Sequence, residues 1–171
     1  DIILTAMQQH PGSTEVQRLG CGALGNVAAR NDANKRTIAE KGGIEAVFHA
    51  MTQHSHHEQV QRLGCWVMYI MVDLESARPA IRKGKAVMDA ARNNFPNNGD
   101  IEKYLKDVYA SICTFSYEDL KNALPPGVSP SAKEDSLSAA EFETVFSMTK
   151  DEFKALPNWK QQAQKKKVGL F

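Results

Sequence analysis

Apolar residues recur along most of the chain at the three- and four-residue spacing that is typical of amphipathic helices. The clearest example begins at Leu19 and runs to Val27, after an N-cap that is expected at Ser13 or Thr14. Residues 60–73 repeat the pattern, and a third long helix is expected to start after a cap at Asp100. Shorter helices are expected between these segments. The pattern predicts an all-α fold.

The first two thirds of the chain contain an internal repeat. The hexapeptide VQRLGC occurs at residues 16–21 and again at residues 60–65, 44 positions later. The same offset aligns a second group of identical residues: Ala6, Met7, Gln9 and His10 with Ala50, Met51, Gln53 and His54. A period of this length is typical of helical solenoids. We therefore expect repeating units that each end in a long helix.

The repeat resembles an armadillo repeat, in which three helices form one unit. The stretches that carry the resemblance are GCGALGNVA at 20–28 and GCWVMYIMV at 64–72. The resemblance implies a solenoid of about three units over residues 1–114, with the first unit incomplete, as part of a longer solenoid. It also implies a groove that binds an unknown protein or peptide through Asn26 and Trp66. The alternative is that these two residues have only a structural role in the stack.

The sequence changes character after Thr114. Turns are expected at PPG (125–127) and SPS (129–131). Three short helices should follow, because Ser138–Glu141 and Thr149–Glu152 have capping-box spacing and Pro157 suits a first helical turn. Gly169 suits the C′ position, just after the end of the last helix. The sequence predicts a small helical domain whose core contains Phe142, Phe146 and Phe153.

This last segment resembles a villin-type headpiece. The resemblance rests on FSYEDL at 115–120, on LPPGVSPSAKE at 124–134 and on residues 137–171, with their phenylalanine spacing, PNWKQQ motif, basic tail and GLF. It implies a domain over residues 115–171 that binds filamentous actin. It further implies a structural salt bridge between Glu134 and Lys165. By position, the implied actin-binding residues are Lys133, Trp159, Lys160, Lys166, Leu170 and Phe171.

Three positions of the implied binding surface depart from the headpiece pattern: Ala132, Asn158 and Val168 stand where charged or apolar contact residues are common. Two functions therefore stay open. The chain is either an actin-filament-binding adaptor whose armadillo stack binds a partner, or a peptide-binding scaffold whose headpiece is a structural cap with little or no actin affinity. The resemblance places the protein in the cytoplasm, associated with the cytoskeleton.

Composition and charge narrow the functions that the chain is expected to have. The formal net charge of +1 gives no support for nucleic-acid or membrane binding by bulk electrostatics. No apolar run is long enough for a membrane span, and the N-terminus, which has no basic region, is interpreted as an internal start. The three cysteines are expected to be reduced and buried.

Motifs of catalysis are missing from the sequence. No glycine-rich phosphate loop, nucleophile elbow or HExxH motif occurs, so a non-enzymatic protein is expected. The histidines of HSHH at 54–57 have no carboxylate or cysteine partners at ligand spacing. We therefore interpret them as a polar loop, and we expect neither a metal site nor a cofactor.

Overall fold

The computed structural model describes residues 2–122, 124–125 and 128–171. The chain divides into two compact units, Asp1–Ile112 and Cys113–Phe171. The described residues form helices and connecting turns and contain no strand, so the all-α prediction is confirmed. Residues 126 and 127 of the predicted PPG turn lie outside the described residues.

The first unit is a stack of helices in which every third helix is long. Its helices are α1 (Ile2–Gln9), α2 (Thr14–Ala28), α3 (Asp32–Glu40), α4 (Gly43–Gln53), α5 (Glu58–Met71), α6 (Arg78–Lys83), α7 (Lys85–Asn94) and α8 (Gly99–Ile112). The long helix α5 packs against α2 on one side and α8 on the other. The order of a short, a medium and a long helix thus recurs along the chain, as the repeat predicts.

Two buried glutamines show that the repeat extends to individual hydrogen bonds. The side-chain amide of Gln17 donates to the carbonyls of Met7 and His10, at 2.8 and 2.9 Å. Forty-four residues later, Gln61 donates to Met51 and His54 at 2.8 and 3.0 Å. Each amide ties its long helix to the end of the preceding one. The two stretches therefore share local structure as well as sequence.

The start of α8 differs from the prediction. Asn98, not Asp100, accepts the capping hydrogen bond, from the backbone N–H of Ile101 at 3.0 Å. Because the cap lies two residues earlier, Asp100 falls in the first turn, where a carboxylate favours the helix dipole. Asp100 also lies 3.4 Å from Arg62 of α5.

The second unit is small and has a core of its own. It contains α9 (Tyr117–Asn122), a 3₁₀ turn (Lys133–Ser136), α10 (Ala139–Phe146), α11 (Lys150–Ala155) and α12 (Asn158–Lys167). Phe142, Phe146 and Phe153 are buried, with ring centroids 4.5, 4.9 and 5.4 Å apart. Aliphatic side chains complete the core: Leu120, Val128, Leu137 and Leu170.

One of the two predicted capping boxes forms completely. Thr149 and Glu152 exchange both hydrogen bonds at the start of α11. At α10, Ser138 accepts from the N–H of Glu141, but that glutamate's Oε1 accepts from the backbone of Tyr117, at 3.0 Å. Because Glu141 accepts a hydrogen bond from the first turn of α9, it links α10 to α9 and does not complete a capping box.

The cysteines divide into two groups. Cys21 and Cys65, which are repeat mates, are fully buried, and burial raises the pKa of each thiol to about 12. The expectation that all three are buried is wrong for Cys113, which is exposed. Among the described residues, no group of three or more histidine, cysteine or acidic side chains is placed to hold a metal ion. No described helix is long and apolar enough to cross a membrane.

Candidate functional site

A buried ion pair anchors the last helix of the second unit. The ammonium of Lys165 lies 2.9 Å from Oε1 of Glu134 and also donates to the carbonyl of Ser131, at 2.5 Å. Both side chains are buried. Because these contacts join α12 to the 3₁₀ turn, they fix one face of α12 against the unit and leave the opposite face to solvent.

A second lysine holds the same 3₁₀ turn. Lys150, the first residue of α11, donates to the carbonyls of Asp135 and Leu137, at 2.9 and 2.6 Å. Partial burial lowers the pKa of this ammonium from its usual value. The turn that carries Lys133 and Glu134 is therefore fixed by contacts from two helices.

The chain turns sharply where α12 ends. Gly169 has φ +72°, in the left-handed region that glycine adopts without strain. The N–H of Gly169 donates to Lys166, and the N–H of Leu170 donates to Lys165 at 3.0 Å, which together form a Schellman motif. The hydroxyl of Tyr117 donates to the carbonyl of Val168, at 2.8 Å. The helix end is thus tied to α9.

This turn corrects the interpretation of Leu170 as a surface contact. Its side chain is 0% exposed and packs in the core with Phe142 and Phe146. The Schellman motif directs the residue after the glycine back onto the helix, and a hydrophobic contact commonly accompanies it. Leu170 therefore anchors the turn from inside and leaves Phe171 outside.

Four of the six predicted contact residues are exposed. Trp159 is 70% exposed and Phe171 is 66% exposed, which is unusual for large aromatic side chains. Lys160 and Lys166 are also exposed, and each lies over one of these rings, at 5.4 Å from Trp159 and 4.8 Å from Phe171. Both distances are within cation–π range. Lys133 is half-buried.

Helix geometry brings the two aromatic–lysine pairs to one side of α12. Trp159 and Lys166 are seven residues apart, which is close to two helical turns, so they share a face roughly 10 Å long. The chain has no acidic residue after Glu152, whereas five lysines follow it. The exposed side of α12 is therefore positive, with an apolar ring near each end.

Comparison with known proteins shows which family the end of the chain resembles. The family profile described as the villin headpiece domain matches residues 136–171. These residues are therefore similar to a villin headpiece domain, and we call the second unit the headpiece. The matched stretch contains the phenylalanine core, α12 and the C-terminal turn described above.

Three relatives share part of the chain. Supervillin of Bos taurus is 43% identical over 70 residues, which is 39% of this chain and 3% of supervillin. Advillin of Mus musculus is 50% identical over 48 residues, which is 28% of this chain and 6% of advillin. Villidin of Dictyostelium discoideum is 38% identical over 71 residues, 42% of this chain and 4% of villidin. The chain thus corresponds to a small fraction of each relative's length.

The three residues that depart from the headpiece pattern differ in how deeply they are buried. Val168 is half-buried and packs against the headpiece core, so a lysine there would lose that contact. Ala132 is half-buried just before the 3₁₀ turn. Asn158 is exposed beside Trp159, and its side chain accepts from Gln162 at 3.4 Å. Only Asn158 changes a fully exposed position.

The two predicted groove residues lie in different environments. Asn26 is exposed on α2. Trp66 is half-buried, and its ring lies over Gly25, where an added Cβ would be 2.3 Å from the ring. The sequence interpretation missed the neighbouring rings of Tyr69 and Tyr104, which contact each other at 5.4 Å between centroids on α5 and α8. Trp66 thus contributes to packing between long helices.

Proposed function

We propose that the protein attaches to filamentous actin through the surface formed by Lys133, Trp159, Lys160, Lys166 and Phe171. The observation that carries this proposal is the pair of exposed aromatic rings, each beside a lysine, on a positive helix that contains no acid. An apolar anchor within a charged rim is a common arrangement of binding hot spots. The actin filament offers an acidic surface, to which such a patch is complementary.

Rigidity of the patch supports the proposal. The ion pair of Glu134 and Lys165 holds α12, and Tyr117, Gly169 and Leu170 hold the turn that precedes Phe171. A surface whose side chains are already placed loses less conformational entropy when it binds. In this proposal Leu170 acts as a buried anchor that positions Phe171, and makes no contact of its own with actin.

The proposal assigns the rest of the chain as follows. Residues 115–171 form the headpiece, and residues 1–114 form an armadillo-like stack that binds a protein partner near Asn26 and Trp66. The ring pair of Tyr69, which is exposed, and Tyr104, which is half-buried, favours partner binding, because tyrosines supply contact area at low entropic cost. The protein would then be a non-enzymatic adaptor at the actin cytoskeleton.

Co-sedimentation with actin filaments tests the site. We expect the wild-type chain to pellet with filaments, and the double variant Trp159→Ala, Lys166→Glu to stay in the supernatant. Both side chains are exposed, so the variant should keep the wild-type thermal unfolding midpoint. A matched double variant, Ile2→Ala with Lys106→Glu, removes one exposed apolar and one exposed basic side chain from the first unit and should pellet normally.

Three outcomes would contradict the assignment. If the Trp159 and Lys166 variant pellets as well as the wild type, contact with actin lies elsewhere. If the control variant also loses binding, the interaction is nonspecific charge attraction. If even the wild type does not bind, the headpiece is a structural cap and the stack is left as the binding module.

A further inference from the structure

A lysine on another helix of the headpiece lies against the C-terminal turn. Lys121, in the last turn of α9, is exposed. Its aliphatic stem runs beside Gly169: an added Cβ on that glycine would lie 3.7 Å from Cε and 3.9 Å from Cγ of Lys121. Gly169 precedes the exposed ring of Phe171 by two residues. A basic side chain that the sequence pattern did not assign to the binding surface therefore borders one end of it.

One aromatic residue contacts both the lysine and the turn. The ammonium of Lys121 lies 5.4 Å from the ring centroid of Tyr117, which is four residues earlier on α9. This distance is within cation–π range. The hydroxyl of the same tyrosine donates to the carbonyl of Val168, at 2.8 Å. The folded headpiece therefore positions Lys121 beside the turn.

The positive charge of Lys121 is available to a partner. No carboxylate in the part of the chain that the structure describes forms an ion pair with its ammonium. Glu118, one turn earlier on α9, accepts a hydrogen bond from Asn122 at 3.3 Å. Lys165, by contrast, has its charge compensated inside the headpiece by Glu134. An ammonium has three N–H donors, so Lys121 can donate to an acidic acceptor on another molecule.

We propose that Lys121 is a further actin contact, so that the binding surface continues from α12 across the C-terminal turn onto α9. This assignment rests on the proposed function and adds a residue to it. Lys166 lies over the ring of Phe171, and Lys121 lies against the backbone two residues before that ring. Lysines from two helices thus border the apolar anchor. An acidic partner surface gains one more favourable charge contact at the rim of that anchor.

Substitutions at Lys121 separate its charge from its packing. Lys121→Met keeps most of the stem beside Gly169 and removes the charge. We expect its affinity for actin filaments, measured by co-sedimentation at low ionic strength, to fall about 2- to 5-fold, which is the range for one exposed charge pair. Lys121→Glu should weaken binding further, because a like charge would face the acidic filament, and Lys121→Arg should bind as the wild type does. All three variants should keep the wild-type thermal unfolding midpoint.

A control lysine and a cross-link report the contact directly. Lys106→Met removes the same charge from an exposed position of the first unit and should leave the affinity unchanged. In carbodiimide cross-linking, the reagent takes up the water that is lost when a lysine amine and a contacting carboxylate condense to an amide. Mass spectrometry of the cross-linked complex should find Lys121, and not Lys106, joined to an acidic peptide of actin.

The outcomes distinguish Lys121 from the rest of the surface. Suppose that the wild type pellets and the Trp159→Ala, Lys166→Glu variant does not. If Lys121→Met and Lys121→Glu then bind as the wild type does, the assignment of Lys121 is overturned and the proposed function stands. The assignment is also overturned if Lys121→Arg binds as weakly as Lys121→Met, if the Lys106 control loses the same affinity, or if Lys166 cross-links to actin and Lys121 does not. A wild-type chain that does not bind actin overturns both the proposed function and this extension of it.

Discussion

The backbone N–H of Leu170 donates to the carbonyl of Lys165 across 3.0 Å, and this bond decides which of the last two side chains is buried. Leu170 turns into the core, and Phe171 stays in solvent over the ammonium of Lys166. The side chain of Lys165 forms the buried ion pair with Glu134. One lysine therefore connects the interior of the headpiece to the exposed end of the proposed binding surface.

Replacing Gly169 by alanine should loosen this turn. A φ of +72° costs an L-residue about 1–2 kcal/mol, so we expect the headpiece to lose roughly that much stability and its affinity for actin to fall. Urea unfolding followed through headpiece NMR resonances measures the first effect. Gly12→Ala is the control: an added Cβ there meets nothing within 4 Å, and the backbone is unstrained. Equal stability of the two variants would contradict the account of the turn.

Breaking the buried ion pair should destabilise the headpiece strongly. Glu134→Gln leaves the ammonium of Lys165 buried without a counter-charge, which costs about 3–5 kcal/mol. We expect the headpiece resonances to become those of an unfolded segment at room temperature, while those of Asp1–Ile112 persist. The double variant Glu134→Met, Lys165→Met removes both charges and should regain much of the lost stability. A folded Glu134→Gln headpiece would show that the pair is dispensable.

Two phenylalanines of one domain should respond in opposite ways to truncation. Phe153 is buried between two other rings, and its replacement by alanine should cost about 3–5 kcal/mol. Phe171→Ala removes an exposed ring and should change stability by less than about 0.5 kcal/mol, although it weakens actin binding. Chemical unfolding and co-sedimentation, carried out on both variants, separate core from contact surface. If Phe153→Ala lost actin binding while its headpiece stayed folded and Phe171 was intact, the separation of core from contact surface would be contradicted.

Two glycines on α2 offer a matched pair in the first unit. An added Cβ on Gly25 would meet the ring of Trp66 at 2.3 Å, so Gly25→Ala should overpack the contact and cost about 1–3 kcal/mol. At Gly22 the nearest atom is 3.8 Å away, and alanine should stabilise the helix by about 0.5–1 kcal/mol. Thermal unfolding of the stack measures both. The contact is misassigned if Gly25→Ala is tolerated as well as Gly22→Ala.

Much of the fold follows from periodicity and punctuation in the sequence. The 44-residue offset predicts long helices at α2 and α5, and the structure shows that Gln17 and Gln61 make equivalent bonds. Helix caps were predicted less accurately. At α8, Asn98 accepts the capping bond expected of Asp100, because two polar residues compete within one turn. Spacing alone could not assign the carboxylate of Glu141 to the distant backbone of Tyr117.

Matching positions to the headpiece pattern predicts exposed side chains at Trp159 and Phe171, and both are exposed. It does not show that Gly169 reverses the chain and buries Leu170, because burial depends on a backbone bond to Lys165. Gly169 was the available signal, since a glycine just after a helix is often followed by an apolar residue that packs back onto it. Trp66 was similarly interpreted without the neighbouring Gly25, which determines where its ring lies.

The most direct test of the central claim is co-sedimentation of the wild-type chain with excess actin filaments at roughly 0.05 M and about 0.15 M ionic strength. Screening of exposed charges strengthens over this range. The account predicts saturable binding that is stronger at the lower ionic strength. A wild-type chain that remains in the supernatant at both ionic strengths, with its headpiece folded, would contradict it.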